Sequence, residues 1–168
     1  MNQRARRRPL PFPAREDWRR TNTGRLLFNS TRRYAEGVVK IVNANGFPKI
    51  RIAHMAVPRN MDLSGTRITT LAARASMTKQ SMADLVLQCE RMGVVKRLPD
   101  PADQRAKRIM LTPKGRRLME VIRGAVNAMD QEMRNEMGPV LFAQLRQALS
   151  IYHMRATAED DVLRGTAD

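Results

Sequence analysis

Between Val94 and Gly115 the chain reads VVKRLPDPADQRAKRIMLTPKG, and this stretch limits the fold more than any other. Ile109 and Leu111 alternate as one face of a strand requires, which a solvated loop has no use for. Arg97, Arg105, Lys107, Arg108 and Lys114 are too many charges for a central core strand. The pattern predicts a surface hairpin: a strand over 94–98, a tip over 99–104 marked by Pro-Asp-Pro-Ala-Asp, and a returning strand over 105–111. Thr112 then caps a helix that opens with Pro113 at its first position.

Two short helices are predicted just upstream. Ile68, Leu71, Ala72 and Ala75 share one face of the first, over 66–75. Met82, Leu85, Val86 and Cys89 share one face of the second, over 78–92. Only Ser76 and Met77 separate them, Thr78 is a suitable N-cap, and Gly93 suits the position after the helix end. A pair joined so tightly is a helix-turn-helix candidate. Followed at once by a hairpin, it becomes a winged helix, in which the second helix fits a major groove about 12 Å wide.

The flanks are helical. One long helix is predicted over 17–45, with Leu27, Tyr34, Val38 and Ile41 or Val42 at helical spacing, and a shorter one over 48–57 that Pro58 stops. A helix over 112–137 carries Leu118, Val121, Ile122, Ala125 and Met129 on one stripe. Gly138-Pro139 breaks it, a last helix covers 139–156, and 157–168 reads as a loose tail. Residues 1–16 read as a flexible basic arm, because Arg6, Arg7 and Arg8 repel one another and three prolines follow. The predicted fold class is mainly α with a small β-hairpin: a winged-helix lobe over 58–117 between N- and C-terminal helices.

A net charge of +15 favours a polyanionic partner, nucleic acid before acidic membrane. The charge is uneven. Residues 67–117 hold twelve basic side chains against four acids, whereas 118–168 hold five against eight. No stretch of about 18 apolar residues predicts a membrane span. One cysteine forms no internal disulfide and fits a reducing cytoplasm. One cysteine and two histidines give no zinc-ligand spacing, and neither a glycine-rich phosphate loop nor a nucleophile–base pair is evident. The sequence therefore predicts no cofactor, no metal and no enzymatic activity.

Leu71-Ala72, Met77-Thr78-Lys79-Gln80-Ser81, Gly93-Val94-Val95, Asp100-Pro101-Ala102-Asp103-Gln104-Arg105 and Leu111-Thr112-Pro113-Lys114-Gly115 together resemble the MarR-type (multiple-antibiotic-resistance regulator) winged-helix family. The resemblance is tight over about 66–117 and holds in outline beyond. It implies a homodimer built from the N- and C-terminal helices, over 17–57 and 118–156. Such proteins bind near-palindromic operators, usually repress, and often release DNA when a small aromatic ligand or an oxidant acts on them. The chain departs from the family at Gly46-Phe47-Pro48-Lys49, where the second helix usually opens with Leu-Thr. The match says least there, near the usual ligand pocket.

Candidate DNA contacts follow. Thr78, Lys79, Gln80 and Ser81 occupy the first turn of the recognition helix. Gln can pair with adenine in bidentate fashion, and Lys or Ser reaches base edges or phosphates. Asp84 and Gln88 lie one and two turns on. Arg105 is the wing residue suited to a narrow minor groove. Lys107, Arg108, Lys96 and Arg97 read as phosphate contacts or as solvated charges. By resemblance, Asp103 holds the wing through an ion pair with a hairpin arginine. Arg4, Arg6, Arg7 and Arg8 either follow an adjacent groove or form a solubilising tail. Cys89 has the spacing of a core residue, against the redox role that some relatives give a cysteine. Trp18, Arg51 and His54 are effector-pocket candidates, the His and Arg being able to hold a carboxylate or phenolate; a satisfied histidine and a surface arginine are the plainer reading. The functional rival is a DNA-coating protein that ignores sequence, for which charge and arm would look the same.

Overall fold

The computed structural model describes residues 18–101 and 103–165, leaving the side chains of Gln104 and of residues 155–165 undescribed. The arm and its Arg4, Arg6, Arg7 and Arg8 lie outside the described residues. The order is α1 (Trp18–Thr21), α2 (Thr23–Ala44), a 3-10 turn (Ile52–Met55), α3 (Ala56–Asn60), β1 (Thr66–Arg67), α4 (Ile68–Arg74), α5 (Lys79–Arg91), β2 (Val95–Asp100), β3 (Asp103–Leu111), α6 (Pro113–Met137) and α7 (Pro139–Gly165).

The predicted helix-turn-helix is α4 and α5. Its turn closes through Met77 N donating to Ala72 O at 2.9 Å, with Ser76 in the left-handed region at φ 51°. Thr78 caps α5, its Oγ1 accepting from Ser81 N at 3.1 Å. Buried Leu71, Ala72, Met82, Leu85, Val86 and Cys89 seat both helices in a core that continues through Ile109 and Leu118 to Val38 and Val42 of α2. That continuity ties the helix-turn-helix to the long helices.

Thr112 caps α6 as predicted, accepting from Gly115 N at 3.0 Å while its hydroxyl donates to Gly93 O at 2.6 Å. Gly115 is required by space: a Cβ there would stand 1.9 Å from Val94 O. The Thr-Pro-Lys-Gly run thus clamps the start of α6 onto the end of α5.

Several predicted boundaries move. Asn22 breaks the first helix by capping α2, with its side chain accepting from Arg25 N at 2.9 Å. The second helix begins at Ile52, not at 48, and Pro58 does not stop it. Pro58 sits within the first turn of α3, where a backbone N–H has no helical partner anyway. Thr66 and Arg67 are not helical. They form β1, pairing with Ile109 and Arg108 of β3, so the predicted hairpin is a three-stranded antiparallel sheet in the order β1-β3-β2. The hairpin is also longer, since Pro99 pairs with Lys107 and Asp100 with Asp103. Finally, α7 continues past residue 156 to Gly165, across most of the predicted tail. Among the described residues no helix is long and apolar enough to cross a membrane.

Candidate nucleic-acid interface

The amphipathic pattern of α5 gives it two unlike faces. Met82, Leu85, Val86 and Cys89 are buried, while Lys79, Gln80, Ser81 and Asp84 are exposed. The exposed set is lightly committed. Gln80 Nε2 donates to Asp84 Oδ1 at 3.2 Å, one helical turn away, and Thr78 Oγ1 donates to Ser81 Oγ at 2.9 Å. These are surface contacts that a stronger partner can displace. Lys79 has no ion-pair partner among the described residues.

The other end of α5 is laced to its surroundings. His54 is buried, and its Nδ1 accepts from Arg51 N at 3.0 Å. Nε2 must then carry the hydrogen, which it donates to Gln88 Oε1 at 2.9 Å. Arg97 of β2 pairs with Glu90 at 3.2 Å, and Lys114 Nζ donates to Met92 O at 2.9 Å. Gln88, a weaker DNA candidate by sequence, is therefore already engaged. Burial pushes the Cys89 thiol up to about 11, so it stays protonated and nucleophilically quiet near neutral pH.

In the wing, the ion pair expected at Asp103 is found at Asp100 instead. Among the described residues, Asp103 makes no ion pair with a hairpin arginine. Its Oδ1 accepts from Arg105 N at 3.0 Å and shapes the tip. The ion-pairing acid is Asp100, 1% exposed, whose Oδ2 accepts from Arg67 Nε at 2.6 Å and lies 3.8 Å from Arg108 Nε. This contact also raises the pKa of Arg67. Arg108 is turned inward, with Nη1 donating to Ser64 O at 3.3 Å and Nε buried without a hydrogen-bond partner. Its half-buried side chain braces the sheet. Arg105, Lys107 and Lys96 are exposed and unpaired among the described residues. The role of Asp100 is not legible in the sequence because its partner Arg67 sits on β1, a two-residue strand with no visible periodicity.

The effector candidates are not brought together. Trp18 lines a surface trough with Arg19, Asn22 and Phe28, whereas Arg51 and His54 border another with Lys49, Gln88 and Arg91. A third, largely apolar hollow of about 230 Å³ lies between α2, the 3-10 turn, α3 and α6, lined by Tyr34, Val38, Met55, Met119, Ile122 and Val126 among others. Tyr34 was read from sequence only as a helix-face residue. Its hydroxyl donates to Asp130 Oδ1 at 2.8 Å, and burial followed by the Asp130 contact pushes its pKa up to about 12.

No family model matches the chain, and no curated protein matches it. Solved structures do. A MarR-family transcriptional regulator from Rhodococcus sp. RHA1 is 25% identical, with a TM-score of 0.61 over 75% of this chain and 88% of the other. CouR from Rhodococcus jostii RHA1, solved bound to p-coumaroyl-CoA, is 25% identical, with a TM-score of 0.62 over 77% and 90%. The PcaV transcriptional regulator from Streptomyces coelicolor, solved with its natural ligand, shares the fold at 18% identity, with a TM-score of 0.61 over 88% and 98%.

Proposed function

Because the chain has the fold of the MarR-type winged-helix transcriptional regulators, we propose that it acts as a homodimeric, sequence-specific DNA-binding regulator, a repressor relieved by a small effector. The observation that carries the reading is the exposed face of Thr78, Lys79, Gln80, Ser81 and Asp84 on α5, in the same lobe as a wing held by Asp100 and Arg67. Lys79, Gln80, Ser81 and Asp84 face the major groove, with Thr78 placing the first turn. Arg105 enters the minor groove. Lys107 and Lys96 meet phosphates. Two copies place their recognition helices in successive major grooves about 10 bp apart.

The apolar groove between α2, α6 and α7, which includes Leu26, Leu27, Phe142, Leu145 and Leu149, supports dimer formation through these helices. The hollow at Tyr34, Val38 and Met119 suits a small aromatic effector. Its apolar walls take a ring, and the Tyr34 hydroxyl offers one polar contact. CouR and PcaV were both solved with ligands, which supports an effector of some kind.

The test is selection of bound sequences from random DNA, followed by competition with unselected DNA. A regulator enriches a near-palindrome and keeps a preference for it of about a thousandfold or more. A DNA-coating protein enriches nothing and shows only a steep salt dependence. Light scattering on the purified protein reads the dimer directly.

A further inference from the structure

The C-terminal end of α5 borders a hollow that the DNA reading leaves unused. It encloses about 320 Å³ between the 46–50 loop, the end of α5 and the start of α6. Its floor is apolar, with Phe47, Ile50 and Val94 buried and Met92 beside them. Its cations are Lys49, Arg91 and Lys114, and an adjoining trough that shares Lys49 and Arg91 adds Arg51. The Arg117 guanidinium stands at the Gly46 edge, where a Cβ on that glycine would meet it at 3.4 Å. No aspartate or glutamate lines either space.

Among the described residues, Lys49, Arg51, Arg91 and Arg117 belong to no ion pair. Lys114 is fixed in the wall by its bond to Met92 O. The loop is held as well: the Asn43 side-chain amide, assigned the orientation that lets its nitrogen donate, reaches Phe47 O at 2.7 Å and Ile50 O at 3.0 Å. Like charges gathered without a counter-charge repel one another, and a bound anion removes that cost. Several cations favour a dianion over a single carboxylate, and both arginine and lysine suit phosphate oxygens. The volume exceeds what inorganic phosphate needs, and the apolar floor has no use for one.

We propose that this hollow binds an organic phosphate, with its phosphate oxygens at Lys49, Arg91 and Lys114 and its ring or acyl part over Phe47, Ile50 and Met92. The site has a regulatory consequence that rests on the DNA-binding reading above. Met92 and Val94 join α5 to β2, so an occupant that fits one placement of α5 better than another biases that placement. Ligand and operator then change each other's affinity by the same factor.

The experiment is calorimetric titration of DNA-free protein at about 150 mM salt with AMP, inorganic phosphate and benzoate as probes. AMP saturates at one per chain with Kd near or below about 1 mM, and each half-probe binds about tenfold more weakly or worse. Lys49→Ala alone, and Lys49→Ala with Arg91→Ala, weaken AMP in step; the double change costs about tenfold or more. Both side chains are exposed, and circular dichroism confirms the fold. The proposal is overturned by any of four results. AMP does not saturate; the double variant binds AMP like the parent; inorganic phosphate matches AMP; or Arg105→Ala abolishes AMP binding, which places the ligand on the wing. This arm uses no DNA, so it fails or stands apart from the regulator reading. Operator anisotropy with and without AMP tests the coupling, and an unchanged operator affinity overturns the regulatory half.

Discussion

At its N-terminal end, α5 shows solvent the side chains of Lys79, Gln80, Ser81 and Asp84, which among the described residues bond only to one another, to the capping Thr78, or to nothing. At its C-terminal end, Gln88 is bonded to buried His54, Glu90 to Arg97, and the Met92 carbonyl to Lys114. The two ends share one helix of 13 residues, about three and a half turns, yet they differ in how their polar groups are engaged. An end that must read a variable partner keeps its polar groups exchangeable. An end that must hold its angle has them satisfied within the fold. On the proposed reading, aim is set at one end and recognition occurs at the other.

The largest predicted effect breaks the holding end. Gly115→Ala puts a Cβ into Val94 O, and the backbone there cannot yield as a flexible side chain would. Stability falls by about 3 kcal/mol, read as a lower urea midpoint. Next comes Asp100→Asn, which leaves Arg67 and Arg108 facing a neutral group. A fully buried pair loses about 3–5 kcal/mol when one partner goes. With Arg67 42% exposed, a loss of about 2 kcal/mol follows, together with weaker operator binding. Asp103→Ala, on the exposed tip, costs about 0.5 kcal/mol, and equal losses for the two aspartates in thermal melts would reverse their assignment. Gln88→Ala removes the acceptor for His54 and costs about 1 kcal/mol, with base preference unchanged.

The smallest effect is one of pH. Hydrogen bonds from Arg74 and Arg33 hold the Asp62 and Glu136 carboxyls below their usual range. A carboxyl depressed in the folded state binds fewer protons folded than unfolded. Its contribution is therefore present above the unfolded pKa and is lost as pH falls through the folded one. Acid titration of the melting temperature should show a shallow decline there, reduced in Asp62→Asn and Glu136→Gln.

Much of the holding end was legible because its signals are local. Gly93, Thr112 and Pro113 act within a turn of themselves, and Leu85, Val86 and Cys89 declare their face by spacing. The exposed residues of the reading end were legible for the same reason. Asp100, β1 and the inward turn of Arg108 were not, since each depends on residues 66–67 meeting residues 108–109 across about forty positions of chain. The pairing of Asp100 instead of Asp103 could not be chosen from a run in which both aspartates flank the same turn. A satisfied His54 was the plainer reading, but its partner Gln88, on another helix, could not be named from sequence. The basic hollow was dispersed in sequence, its cations standing at 49, 91 and 114.

The central claim is that the N-terminal end of α5 reads sequence. It is tested most directly by the affinities of Gln80→Ala for a selected operator and for random DNA of equal length, at one fixed salt concentration. The account predicts that operator binding weakens by about tenfold or more while random-sequence binding barely changes. Equal losses on both DNAs, or no loss on either, would contradict it.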